Sequence, residues 1–157
     1  MAAEVYGQGV LSVGAAALSE TGLVLAIIAG FAVIFPLFWC GVVWLLSHMS
    51  GWQALARSHG AGTRPVTGVR HSLVTGMVGW VSYRNVLTLH VAADGLFIEV
   101  MPLFRIGHPR LFIPWTEIGA RRPSRVLFWT AEQFEVGRPP AGVITLPPGY
   151  LGDHVPA

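Results

Sequence analysis

LVLAIIAGFAVIFPLFWCGVVWLL, residues Leu23 to Leu46, is the stretch from which the organisation of the whole chain follows. It contains no charged residue, and only Gly30, Pro36 and Gly41 interrupt its apolar and aromatic side chains. A bilayer core of about 30 Å is crossed by a helix of about 20 apolar residues, whereas a surface helix of a soluble domain alternates apolar and polar faces. We therefore predict a transmembrane helix over 23–46.

The two sides of this span differ in charge. Residues 1–22 carry two acids and no arginine, whereas Arg57, Arg64, Arg70 and Arg84 follow the span. Short flanking segments rich in arginine stay on the cytoplasmic side. The tail also lacks the positive start of a cleaved signal peptide. We predict a retained, single-pass anchor with the tail 1–22 outside the cell and the rest of the chain, 47–157, in the cytoplasm.

Aromatic residues crowd the cytoplasmic end of the predicted span. Aromatic rings of this kind settle at the headgroup level of a bilayer and fix the depth of a helix. We predict this anchoring role for Phe35, Phe38, Trp39, Trp44 and Trp52.

Three residues inside the span favour contact with a neighbouring helix. Ala26 and Gly30 form a pair of small residues at a spacing that allows two helices to approach closely. Pro36 removes one hydrogen bond of the helix and predicts a kink. We predict helix packing at these three positions.

Residues 47–62 are predicted to link the span to the domain. Ser50 and Gln53 have the spacing of a capping box, and Gly60 is placed to end a short helix. Two interpretations of this helix stay open, one in which it lies on the membrane surface and one in which it packs on its own domain. His48 could ligate a haem or chlorophyll metal, but no pigment or haem motif accompanies it, so we interpret it as a solvated interfacial side chain.

Alternating apolar and polar residues predict β structure in the domain 63–157. Leu87 and Leu89 share one face of a strand, and Asp94-Gly95 gives a tight turn into a second strand with Ile98 and Val100 on its inner face. The other predicted strands are 72–78, 80–83, 111–113, 125–131, 134–136 and 143–146, which together indicate a small antiparallel barrel or sandwich.

Two segments of this domain carry a family resemblance. YRNVLTLHVAADGLFIEV (83–100) and LFRIGHPRLFIPWTEI (103–118) resemble bacterial pleckstrin-homology-like and GRAM-like domains behind a membrane anchor. The GW-x-x-LA segment at 51–56 is similar to one in uncharacterised single-pass bacterial inner-membrane proteins. The resemblance implies an α+β, mainly β fold. Such domains usually close their barrel with a C-terminal helix, and the proline-rich segment after Leu146 predicts none, so we expect an end of the barrel that is open or covered by another chain.

No pattern in the chain points to catalysis. The histidines of the domain lack metal-binding spacing, the carboxylates are separated, and neither a nucleophile elbow nor a phosphate-binding loop is present. Cys40, the single cysteine, lies in the span and forms no intramolecular disulfide. We predict a non-enzyme with no cofactor and no metal. The domain also lacks an RNA-binding motif or a long basic helix, so we predict no nucleic-acid partner.

Two arginine-containing loops and one tyrosine are the candidate contacts for a lipid or a partner protein. They are Arg105, His108 and Arg110, then Arg121, Arg122 and Arg125, and finally Tyr150. Two functions stay open. The first is a structural or accessory subunit that docks its cytoplasmic domain on a membrane protein complex, photosynthetic or respiratory, with membrane lipids and other membrane subunits as partners. The second is a membrane-anchored module that binds a lipid headgroup or a peptide.

Overall fold

A computed structural model describes residues 2–126 and 129–152, with side chains described from residue 19 onward. The chain divides into two compact units, residues 1–41 and residues 42–157. In chain order the elements are α1 (Ala2–Met49), α2 (Trp52–His59), β1 (Val69–Val78), β2 (Val81–Val91), β3 (Gly95–Val100), β4 (Leu111–Pro114), β5 (Arg122–Val126), β6 (Trp129–Val136) and β7 (Gly142–Leu146). Single turns of 3-10 helix at Pro102–Phe104 and Trp115–Glu117 precede and follow β4.

The helix α1 contains the predicted span and extends beyond it at both ends. Its segment Ser19–Met49 is long and apolar enough to cross a membrane, and the most apolar part of that segment is not buried. Phe31 is 64% exposed and Leu37 is 69% exposed. Pro36 lies inside the helix, which continues past it.

Seven antiparallel strands form one sheet in the second unit, in the order β4-β3-β2-β1-β7-β6-β5. The predicted hairpin is confirmed, because Leu89 pairs with Ile98 and Leu87 pairs with Val100 across β2 and β3. All four side chains are buried in the main core. A mixed fold that is mostly β is therefore established for this unit.

The bounds of three predicted strands were wrong. The range 80–83 is not a separate strand, because β2 runs from Val81 to Val91 and includes the first strand of the predicted hairpin. The range 134–136 is only the end of β6. The range 125–131 contains two strands, because β5 ends at Val126 and β6 begins at Trp129, with these two residues paired across the hairpin. The two residues between them lie outside the described part of the chain. The error has a physical origin, since the run from Arg125 to Ala131 contains no glycine, proline or asparagine to mark a turn.

The helix α2 covers the core of the sheet, which corrects the expectation of an open end. Trp52 and Leu55 are fully buried, and α2 packs against β4 and β7. The fit to β7 is close, because a Cβ atom on Gly142 would lie 3.0 Å from Leu55 Cγ. The residue Leu151, after the last strand, is also fully buried. The covering helix thus precedes the strands instead of following them, and α2 packs on its own domain.

Candidate functional site at the helix–domain junction

The last two turns of α1 pack against the β domain. Val43 is 2% exposed and Ser47 is fully buried. The loop after β3 reaches them through Gly107, where a Cβ atom would lie 2.6 Å from Ser47 Oγ and 3.4 Å from the Cα atom of Trp44. Gly107 also has a φ of 72°, which favours glycine. The absence of a side chain at this position lets the loop lie directly against α1.

Three aromatic rings form the centre of the junction. The ring of Trp52 lies 5.6 Å from the ring of Tyr83 and 5.0 Å from the ring of His108, measured between centroids. Its indole Nε1 donates a hydrogen bond of 2.9 Å to the carbonyl of Pro109. Trp52 was predicted to anchor the chain in the headgroup layer, but it is enclosed by the domain and belongs to the core.

A line of hydrogen bonds joins these rings to the end of α1. His108 Nδ1 lies 3.0 Å from the carbonyl of Ile106, and its Nε2 lies 2.9 Å from the hydroxyl of Tyr83. That hydroxyl lies 3.0 Å from Ser50 Oγ, which in turn donates to the carbonyl of Ser47 at 3.3 Å. The Tyr83 hydroxyl donates its single hydrogen to Ser50 Oγ. A neutral imidazole has one N–H, so the donor and acceptor roles of the two His108 nitrogens depend on the tautomer.

Gln53 adds a second connection to the same loop. Its side-chain amide nitrogen donates to the carbonyl of Gly107 and lies 3.5 Å from Ser47 Oγ. Gln53 was predicted to complete a capping box with Ser50. The Ser50 hydroxyl does accept from the backbone N–H of Trp52 at 3.2 Å, while Gln53 ties the start of α2 to the loop.

Burial keeps the titratable groups of the junction uncharged. It lowers the pKa of His108 below its ordinary value, although hydrogen bonds to the carbonyls of Ile106 and Phe104 act in the opposite direction. Burial also raises the pKa of Tyr83, against the effect of its hydrogen bond to Ser50. The junction is therefore a neutral polar connection enclosed in an apolar core.

The lowered pKa of His108 predicts a loss of stability in mild acid. The unfolded chain takes up a proton on this residue near pH 6.5, whereas the folded chain resists it until a lower pH. Between the two pKa values the unfolded state binds more protons, so the free energy of unfolding falls as the pH falls, and this contribution levels off below the folded pKa. Urea unfolding of the full chain in detergent, measured from about pH 7.5 to 5, should show this fall.

The matched control is His108→Gln, which keeps a donor and an acceptor but does not titrate. The variant should lose stability at neutral pH, and its decline between about pH 7 and 5.5 should be smaller than that of the natural chain. Equal declines in the two proteins would contradict the assignment of a buried, neutral His108.

Two of the predicted binding arginines surround an acid on β3. Glu99 Oε2 lies 3.3 Å from Arg105 and 3.0 Å from Arg110, and Glu99 Oε1 lies 3.2 Å from His90 Nε2. Burial acts to raise the pKa of Glu99, but the hydrogen bonds from His90 and Arg110 and the charges of Arg110 and Arg105 outweigh it, so the pKa is lowered. Arg105 remains 54% exposed in its side chain. His108, predicted with these two arginines, is buried instead of facing solvent.

The three arginines of the second predicted cluster, Arg121, Arg122 and Arg125, have different surroundings. Arg121 lies 3.7 Å from Glu132, and Arg121 Nε and Glu132 Oε2 are buried without a hydrogen-bond partner among the described residues. Arg122 and Arg125 are exposed on β5, a strand at the edge of the sheet. Tyr150 is partly buried, and its ring meets the ring of His71 edge-on at 5.1 Å.

The remaining predicted positions lie on α1. The side chains of Phe35, Phe38 and Trp44 are exposed, as an anchoring role requires, and Trp39 is partly exposed. For helix packing, Ala26 and Pro36 are exposed, Gly30 is partly exposed, and nothing lies within 4 Å of a Cβ atom built on Gly30.

Neither a metal centre nor a known relative identifies the site. Within residues 2–126 and 129–152, no group of three or more histidine, cysteine, aspartate or glutamate side chains is placed to hold a metal ion. Comparison with protein-family models, with curated proteins and with solved structures found no match.

Proposed function

We propose that this chain is a non-catalytic, single-pass protein of a bacterial inner membrane, and that it serves as a structural or accessory subunit of a membrane protein complex. In this proposal α1 crosses the membrane and the β domain docks on the cytoplasmic side of the assembly. The observation that carries the proposal is the junction, in which Ser47 and Ser50 are buried between the end of α1 and the domain. These contacts hold the last residues of α1 against the domain, which suits a part that occupies a fixed position in a complex.

One face of α1 is suited to packing against another membrane helix. With a period of 3.6 residues, Ala26, Gly30, Val33 and Leu37 share one face and present two small residues among aliphatic ones. Small residues let the backbones of two membrane helices approach closely.

The opposite face of α1 is aromatic. Phe31 and Phe35 stack with their ring centroids 5.1 Å apart, and Phe35 stacks on Trp39 at 6.3 Å. A ladder of rings at the surface suits contact with lipid chains, whereas the face with Ala26 and Gly30 suits contact with protein.

Site-specific photo-crosslinking in the native membrane tests the proposal. A photoreactive residue would be placed in the full chain at Ala26, Gly30 or Leu37, and at the matched positions Ile28 and Phe35 on the other face. We expect one protein to be cross-linked from the first face and little or none from the second. Equal cross-linking from both faces, or a chain that cross-links only to lipid at all positions, would contradict a role as a subunit.

A second candidate function rests on the exposed arginines of β5. Arg122 and Arg125 lie on an edge strand and are free to reach an anionic headgroup, for which an arginine near a membrane surface contributes about 1 kcal/mol. Pro123 lies between them and has no N–H to donate, which makes this edge a poor partner for an added peptide strand. Native mass spectrometry of the detergent-purified chain would favour this function if an anionic lipid is retained and is lost in the double variant Arg122→Gln, Arg125→Gln.

A further inference from the structure

Four of the exposed apolar side chains of the β domain belong to segments that lie near the end of α1. Among the described residues of the domain, the large apolar side chains that are exposed are Val69, Leu73, Trp80, Met101, Leu103 and Ile106. The last four of these belong to two segments, the turn between β1 and β2 and the loop after β3. Both segments touch the junction.

The contacts of two glycines establish this placement. A Cβ atom on Gly79, the neighbour of Trp80, would lie 2.5 Å from the carbonyl oxygen of Ser50. A Cβ atom on Gly107, the neighbour of Ile106, would lie 3.4 Å from the Cα atom of Trp44. Consecutive Cα atoms are about 3.8 Å apart, so the backbone of Ile106 lies beside the last two turns of α1.

We propose that Trp80, Leu103 and Ile106 form an apolar rim that inserts into the headgroup layer of the membrane that α1 crosses. The proposal rests on the proposed function, because it requires α1 to be a membrane span. Trp44 is one of the residues expected at the membrane boundary, and the loop that carries Ile106 packs against it. Side chains at this level meet lipid, which accounts for the 64% exposure of Trp80 and the 62% exposure of Leu103.

The charges around the rim fit a lipid surface. The segments 79–84 and 101–110 contain Arg84, Arg105 and Arg110 and no acid, and the acid that pairs with Arg105 and Arg110 is Glu99 on β3. Arg105 lies between Leu103 and Ile106 in the sequence, and its side chain is more than half exposed even though it reaches Glu99. In this arrangement the apolar side chain lies among the lipid chains and the exposed arginine beside it reaches the lipid phosphates.

Val69 provides a control at the opposite end of β1 from Trp80. It is 63% exposed, and it begins β1, whereas Trp80 follows the turn at the other end of β1. At about 3.3 Å per residue, a strand of 10 residues places Val69 far from the rim. Insertion of the rim leaves Val69 in water.

The test uses the full chain with Cys40→Ala and one new cysteine at Leu103, Ile106, Val69 or Phe38. Each variant carries an environment-sensitive fluorophore and is reconstituted in vesicles of phosphatidylethanolamine and phosphatidylglycerol that contain spin-labelled quencher lipids. We expect quenching at positions 103 and 106 to be several-fold stronger than at position 69, with the strongest quenching at position 38.

The outcomes separate the two proposals. Quenching at position 38 with only background quenching at 103 and 106 would overturn the rim and leave the membrane span intact. Background quenching at all four positions would overturn the span and the rim together. Fluorophores at 103 and 106 that are exposed in pure lipid vesicles but shielded in native membranes would assign this surface to a protein partner and overturn the lipid contact.

Discussion

Replacing Trp52 by alanine is expected to lower the free energy of unfolding of the β domain by about 3–5 kcal/mol. The side chain is fully buried, its ring contacts those of Tyr83 and His108, and its indole N–H donates to the carbonyl of Pro109. The substitution leaves a cavity between α2 and the sheet and removes the donor of a long-range hydrogen bond. Domains of this size have about 5–15 kcal/mol of stability in total, so the loss is a large part of it.

Chemical unfolding of the full chain in detergent, followed by far-ultraviolet circular dichroism, measures this effect. The matched control is Trp80→Ala, which removes the same side chain at a position that is 64% exposed and should change the free energy of unfolding by less than about 0.5 kcal/mol. If the two substitutions had equally small effects, Trp52 would lie outside the core, in the anchoring role that its position in the sequence suggested.

The parts of the fold that sequence reasoning predicted depend on local patterns. The apolar run from Leu23 to Leu46, with only Gly30, Pro36 and Gly41 in it, predicts without any knowledge of its surroundings a helix that is long and apolar enough to cross a membrane. The hairpin of β2 and β3 is equally local, because the alternation around Leu89 and the Asp94-Gly95 turn determine both pairing and register.

The role of Trp52 depends on contacts that are distant in sequence. An aromatic residue just after a membrane span fits the headgroup layer and a protein core equally well. Tyr83 and His108 decide between the two, and they belong to β2 and to the loop after β3. The same holds for Glu99, whose pairing with Arg105 and Arg110 requires that loop to fold back along the sheet.

Two junction residues, Ser47 and Gly107, gave little signal in the sequence. A serine at the end of an apolar helix and a glycine in a loop are common, and their importance follows only from the 2.6 Å approach that a Cβ atom on Gly107 would make to Ser47 Oγ. The sequence left open whether α2 packs on its own domain, because the resemblance implied a closing helix after the strands, whereas the helix that covers this core comes before them.

The central proposal is that the chain is anchored in a membrane with its β domain in the cytoplasm. Its most direct test is the accessibility of single cysteines to a thiol reagent in intact cells. The full chain with Cys40→Ala would carry a single cysteine at Ala3, in the predicted outer tail, or at Ala120, which is exposed on the β domain. As a control, Ile28→Arg with Val33→Arg in the span costs about 2.5–3.5 kcal/mol per arginine and should release the chain from the membrane fraction.

A membrane-impermeant maleimide should label the cysteine at position 3 in intact cells and the cysteine at position 120 only after the cells are permeabilised. Labelling at position 120 in intact cells, with position 3 protected, would contradict the proposed orientation. Recovery of the natural chain in the soluble fraction would contradict the anchor itself.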